Sequence, residues 1–184
     1  MGEITTLLQA ANRGEPDAIN RLVELLYGDL HQLAHARLRV HAESTLLDTT
    51  SLVHETYVRL LKTGELDVSD RRHFFAYAAR VMRSVIVDFA RRRNAGQRGG
   101  GQIHVTLDTD AATALPRAAD EILRVHEALD QLARVDGGLA RLVEMRYFAG
   151  LQVREIAEVL GVTERTVERQ WRKARAVLFD ALSP

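Results

Sequence analysis

Val153-Arg154-Glu155-Ile156-Ala157-Glu158-Val159-Leu160-Gly161-Val162-Thr163-Glu164-Arg165-Thr166-Val167-Glu168-Arg169 is the stretch that decides the fold. Two helices crossing at a tight turn need a small residue at the crossing, and Ala157 supplies it. The turn needs a residue that tolerates positive φ, which Gly161 supplies. Ile156, Leu160, Val162 and Val167 are spaced to form a small core between the helices. Thr163 stands where a hydroxyl can satisfy a free amide of the second helix. The pattern predicts a helix-turn-helix, with an αα-hairpin carrying a solvated charged face as the bland alternative.

The second helix extends from Glu164 to about Leu182. Val167, Trp171, Ala174 and Leu178 repeat at i, i+4, i+7 and i+11 and face inwards. Arg165, Thr166, Arg169, Arg172 and Lys173 fall largely on the other side. A helix of that kind fits the major groove of B-DNA, where arginine reads guanine edges and other cations hold phosphates.

Upstream, helices are expected from about Ala118 to Ala133 and from Leu139 to Phe148, with a break at Gly137-Gly138. Residues 94–117 contain Gly96, Gly99, Gly100, Gly101 and Pro116 and little periodicity, so they read as a flexible linker. Within it Ile103, Val105 and Leu107 alternate, which allows a short extended stretch.

Before the linker, residues 71–98 hold eight arginines against Asp88 alone. Arg72, Arg80, Arg83 and Arg91 share one arc of a helix, opposite Phe74, Phe75, Ala78, Val81, Met82, Val85, Ile86 and Phe89. A helix that only needs solubility interleaves glutamates. This one tolerates arginine repulsion, as a phosphate-facing helix would; the alternative is pairing with acids elsewhere in the chain. Tyr77, Phe74 and Phe75 could stack on unpaired bases, although aromatics at helical spacing are more often core.

Towards the N-terminus, a helix from about Ile4 to Asn12 stops at Gly14, and Pro16 suits a first helical turn. One long helix is expected from there to about Val40, with Ile19, Leu22, Val23, Leu26, Leu30 and Leu33 on one face. Asp48, Thr49 and Thr50 offer caps for a further helix that Gly64 closes, and Ser69-Asp70 offer caps for the arginine helix. The fold class is therefore all-α: residues 1–93 and 118–184 form two small helical domains joined by the glycine-rich linker at 94–117.

The 184 residues carry 25 basic and 25 acidic side chains, so net charge argues for no partner, but the distribution is uneven. Residues 1–30 hold two bases against five acids, and residues 151–179 six against four. No apolar run is long enough to span a bilayer. The N-terminus lacks the layout of a secretory signal, and the absence of cysteine fits a reducing, cytoplasmic interior. There is no Walker lysine loop, G-x-S-x-G or G-x-G-x-x-G; His31 and His35, at i and i+4, lack surrounding acidic ligands. No catalytic residue, metal or cofactor is expected.

Three segments together resemble the extracytoplasmic-function (ECF) sigma factors of the sigma-70 family, and the resemblance spans nearly the whole chain. Ser51-Leu52-Val53-His54-Glu55-Thr56-Tyr57-Val58-Arg59-Leu60 is similar to the family's D-L-V-Q-E-T-F-x-R helix, with Ser51 and His54 in place of the acid and the glutamine. His73-Phe74-Phe75-Ala76 through Ile86-Val87-Asp88-Phe89-Ala90-Arg91-Arg92-Arg93 resembles the helix that melts and reads the −10 element. Val162 to Arg175 resembles the −35-reading helix.

The resemblance implies a transcription initiation factor that directs bacterial core RNA polymerase to promoters. By it, Leu52, Val53, Glu55 and Thr56 dock on the β′ clamp, and Arg80, Arg83, Arg91 and Arg92 hold opened −10 DNA. Arg165, Thr166, Arg169, Arg172 and Lys173 bind the −35 duplex. The β flap is a second polymerase contact, and an anti-sigma factor or a regulatory kinase is a further partner of the same kind. Two rival readings remain: a stand-alone helix-turn-helix regulator with a sensing or dimerising N-terminal domain, and a metal hydrolase built on His31, His35 and Glu55.

Overall fold

The structure is a computed structural model that describes residues 2–15, 17–39, 47–63, 66–98 and 109–183. Among these residues every regular element is helical. Pro16, Val40, Gly64, Gly99, Gly100, Gly101 and the possible extended stretch at Ile103, Val105 and Leu107 lie outside them.

The first half is built by α1 (Glu3–Asn12), α2 (Ala18–Leu25), α3 (Tyr27–Arg39), α4 (Thr49–Thr63) and α5 (Arg71–Arg98). Gly14, at φ +74°, turns the chain after α1. The single helix expected to run to Val40 is instead split at Leu26. The i to i−4 bonds Leu26 N to Leu22 O (3.0 Å) and Leu30 N to Leu26 O (2.9 Å) still cross the split. Leu22, Leu26 and Leu30 therefore stay buried on one face, and periodicity alone could not reveal the break. Asp48 caps α4, accepting from Ser51 N at 3.0 Å and Ser51 Oγ at 2.7 Å. Asp70 caps α5, accepting from Arg72 N at 2.8 Å and His73 N at 3.0 Å. Asn12 clasps the chain that leads into α5: its Nδ2 donates to Val68 O at 2.8 Å, and its Oδ1 accepts from Val68 N at 3.3 Å. Leu8, Leu22, Leu26, Leu30, Leu52, Leu60, Leu66, Phe74 and Met82 are the largest side chains sealed into this core.

The second half comprises α6 (Thr109–Val135), α7 (Gly137–Val143), a π-helical turn (Glu144–Phe148), α8 (Val153–Leu160) and α9 (Glu164–Leu182). Helix α5 runs on to Arg98 and α6 begins at Thr109, so residues 94–98 and 109–117 of the expected linker are helical. Gly96 and Pro116 disfavour helix by about 1 and 3 kcal/mol relative to alanine, so local propensity does not account for the helical path through them. The break before α7 falls at Asp136, one residue ahead of Gly137-Gly138. There the backbone is extended, and Oδ1 accepts from Leu139 N at 3.1 Å.

The two halves are packed on each other. Helix α5 lies against α6, the π turn and α8. Ile122 of α6 belongs to the first core, with Leu123, Phe148 and Ala149 packed against it. Among the described residues no helix is long and apolar enough to cross a membrane.

Candidate nucleic-acid interface

In the helix-turn-helix, Gly161 takes φ +65° and ends α8, while Thr163 Oγ1 accepts from Thr166 N at 3.3 Å to start α9. Glu155 Oε2 accepts from Gln152 N at 2.8 Å and fixes the start of α8. Ile156, Ala157 and Val167 are buried with Leu142, Met145 and Leu151, so the crossing is anchored on α7 and the π turn. Leu160 is half-buried, and Val162 is exposed rather than part of that core, because the αL turn at Gly161 carries it outwards. Val167 and Ala174 face inwards fully, and Trp171 and Leu178 partly.

That packing leaves Arg165, Arg169 and Arg172 exposed on the outer face of α9, without an ion-pair partner among the described residues. Thr166 is half-buried, its hydroxyl 3.0 Å from Thr163 Oγ1. Lys173 points the other way along the helix, 3.3 Å from Asp136 Oδ2, so its charge is partly spent on the α7 cap. Glu168 is also exposed on this face with no such partner. Arg146 lies over the Trp171 ring, 4.7 Å from its centroid.

The arginine helix separates into two groups. Arg80 and Arg92 are exposed, Arg80 resting 5.2 Å over the Tyr77 ring. Arg91 is exposed with Asp88 at 4.0 Å, while the nearer partner of Asp88 is Arg59, at 2.7 Å. Arg72 and Arg83 do not face solvent in the same way. Arg72 pairs with Glu158 and lies 3.8 Å from Glu155, both on α8. Arg83 is only 15% exposed and pairs with Glu144 Oε1 at 2.8 Å, with Asp130 at 3.9 Å. Arg83, expected to face opened DNA, is held in this packing by acids of the second half.

Further groups complete that contact. Arg83 donates to His126 Nδ1 at 3.0 Å, and His126 Nε2 faces Asp130 Oδ2 at 3.3 Å. Burial lowers the His126 pKa; Asp130 opposes this and Arg83 adds to it, which fits a neutral ring accepting from Arg83. Burial likewise raises the Glu144 carboxyl above its usual range, against the pull of Arg83 and Arg80. Two guanidinium groups lie over the Phe148 ring, Arg83 at 5.8 Å and Arg37 at 6.0 Å from its centroid. Burial lowers the Arg37 pKa, and its Nε has no hydrogen-bond partner among the described residues.

Phe74 is fully buried and unavailable to stack on a base; Phe75 and Tyr77 are half-buried against the core. The expected docking set on α4 divides between two faces. Leu52, Val53 and Thr56 are 0%, 3% and 1% exposed, and Thr56 Oγ1 donates to Leu52 O at 2.7 Å. They are the inner stripe of α4 in this fold. Glu55 is exposed and shares an outer arc with His54, Val58, Leu61 and Lys62. A cluster of three His, Cys, Asp or Glu side chains able to hold a metal does not occur among the described residues.

Sequence reasoning passed over Arg37, Glu144 and Phe148. The signal available for them was faint: an aromatic and an acid on an apolar helix that is otherwise core. It also passed over an apolar groove of about 530 Å³, lined by Val125, Leu129, Val143, Trp171, Leu178 and Phe179. Phe179 is 78% exposed at its rim.

Comparison with known proteins gives two findings. Residues 1–184 match a family described as ECF sigma factor. The chain is similar to the ECF RNA polymerase sigma factor BldN of Streptomyces coelicolor, with 27% identity over 174 residues. The alignment covers 93% of this chain and 63% of that relative, so the chain spans less than two thirds of the relative's length.

Proposed function

The chain belongs to the ECF sigma factor family, and from that premise we propose that it directs bacterial core RNA polymerase to specific promoters and helps open their DNA. The observation that carries this reading is the outer face of α9. Three exposed arginines, Arg165, Arg169 and Arg172, stand without acid partners on a capped helix-turn-helix, in a chain that matches the family from end to end. Arg165 and Arg169 lie in its first turns, the part of a recognition helix that reaches base edges. In this reading Arg172 contacts phosphate, Lys173 joins it once released from Asp136, and Thr166 at the helix start contributes through its hydroxyl.

In this reading residues 118–184 bind the −35 duplex, and residues 1–93 bind polymerase and the opened −10 strand. Arg80, Arg91 and Arg92 are the first cations to meet that strand, and Arg83 follows once its acids let go. Polymerase docking on α4 falls to Glu55 with His54, Val58, Leu61 and Lys62, over an interior of Leu52, Val53 and Thr56. The apolar groove beside Trp171 and Phe179 suits an apolar helix such as the β flap would offer. An anti-sigma factor or a kinase would act by denying one of these surfaces. The protein would catalyse nothing itself and would work in the cytoplasm, where the polymerase is.

The test is a pair of titrations. Labelled protein mixed with core polymerase is expected to form a one-to-one complex, and promoter DNA is expected to bind that complex far better than the free protein. Tight, sequence-specific duplex binding by the free protein, with no affinity for core polymerase, would instead establish the stand-alone regulator.

A further inference from the structure

Arg37 reaches from α3 to the corner after the π turn without meeting an acid. Its guanidinium lies over the Phe148 ring, and a Cβ built on Gly150 would stand 3.5 Å from its Nη2. Among the described residues it forms no ion pair, and its buried Nε has no hydrogen-bond partner. Burial pulls its pKa below the usual arginine value, with Tyr147 opposing the shift. A cation taken partly out of water is costly unless an acceptor stands opposite, and the chain itself supplies none to this Nε.

Arg37 lines a cavity of about 170 Å³ bounded by α3, α5, α6 and the π turn. Ile86, Ile122, Val125 and Phe148 supply its apolar wall, and Arg83 is its second cation. The Nε of Arg83 is also buried without a partner, although Glu144 and Asp130 balance its charge. His126 accepts from Arg83, and burial holds its pKa down, so its ring adds no charge. Glu121 on the lining is exposed and forms no ion pair among the described residues. The charge that no protein acid answers inside the cavity is therefore that of Arg37.

We infer that this cavity is a binding site for a small apolar monocarboxylate, its carboxylate paired with Arg37 and its hydrocarbon part set against Ile86, Ile122, Val125 and Phe148. The guanidinium is a planar fork of donors that matches a carboxylate. An apolar cavity of about 150 Å³ holds one benzene ring, so this one takes an acid of about the bulk of benzoate. An inorganic anion would leave the apolar wall uncovered, and a neutral hydrocarbon would leave Arg37 unanswered. The site goes beyond the proposed function and needs neither DNA nor polymerase.

The experiment uses the whole chain with benzoate as the probe. Titration calorimetry should show one-to-one binding with a Kd of about 1 mM or below, in keeping with a ligand of about nine non-hydrogen atoms. At about ten times that Kd, benzoate should raise Tm by about 3–6 °C. Acetate, which lacks the ring, and benzyl alcohol, which lacks the charge, should each bind about tenfold more weakly or worse. Arg37→Met keeps the bulk and removes the charge, so it should weaken benzoate about tenfold, and Arg37→Lys should recover part of that loss. Ile122→Phe fills the cavity and should abolish binding.

No heat and no Tm shift with benzoate would overturn the site, as would parental affinity in Arg37→Met or Ile122→Phe. Benzyl alcohol binding as well as benzoate would overturn the pairing with Arg37, and acetate binding as well would overturn the apolar wall. Circular dichroism on each variant separates lost binding from lost folding, and the three ligands on the parent decide the matter even where a variant does not fold. Failure of the parent to bind core polymerase would count against the proposed function instead, and it leaves this titration untouched.

Discussion

Replacing Leu52 by alanine and, separately, Glu55 by arginine should divide stability from polymerase binding on α4. Leu52 is completely buried, held between α3 and α5 on a helix whose opposite face is in water. Truncating a leucine at such a site costs about 2–5 kcal/mol, and the rigid helices on both sides leave little room for collapse, so about 3 kcal/mol is expected. For a chain of this length 1 kcal/mol shifts Tm by about 2–4 °C, which makes the loss about 6–12 °C. Glu55 is exposed, and substitution there should stay within about 0.5 kcal/mol, or about 2 °C in Tm. Its charge reversal should nevertheless weaken the complex with core polymerase about tenfold, which is 1.4 kcal/mol. Thermal unfolding by circular dichroism and anisotropy titration with core polymerase, the latter well below either midpoint, give the two numbers for each variant. Leu52→Ala should lose stability and keep its affinity; Glu55→Arg should do the reverse. A Leu52→Ala protein with parental Tm and tenfold weaker binding would refute the buried placement and restore Leu52 as a contact.

Three further outcomes follow from the same geometry. Gly161→Ala should lower stability by about 1 kcal/mol: a Cβ there meets nothing within 4 Å, so only the left-handed backbone at φ +65° opposes it, and calorimetry would read it. Arg169→Ala should cost about 1–3 kcal/mol in promoter discrimination if it reads a base, and a competition assay over randomised −35 duplexes would show which position relaxes. Asp136→Asn should destabilise most at neutral pH. The Leu139 amide, and then Lys173, hold the Asp136 carboxyl below the ordinary aspartate value of 3.8. Its contribution is therefore present above 3.8 and lost as pH falls through the lower folded value, so the Tm gap to the parent should close in acid.

Local chemistry was the legible part. Thr163, Asp48, Asp70, Gly14 and Gly161 act through bonds and dihedrals within a few residues, and the structure places each in the role its neighbours specify. The outward set on α9 was legible for the same reason, since a buried Val167 and Ala174 leave Arg165, Arg169 and Arg172 only one side to occupy. What α5 would meet was not legible, because Arg83 and Glu144 are 61 residues apart and helical periodicity says which way a side chain points, not what stands opposite. On α4 the spacing and the motif pointed to different roles. Leu52, Val53, Thr56 and Leu60, at i, i+1, i+4 and i+8, spell the stripe that the structure buries, while the expected docking set followed the motif. The helices run through Gly96 and Pro116 of the expected linker, so these two residues, read as stop signals, do not end them.

The most direct measurement is start-site sequencing of transcripts made by bacterial core RNA polymerase on a genomic fragment library, with and without the purified protein. The account predicts a new set of starts, each preceded at a constant spacing by one shared pair of sequence elements, and loss of that set with the Arg165→Ala/Arg169→Ala protein. An identical transcript pattern in the presence and absence of the protein would contradict it.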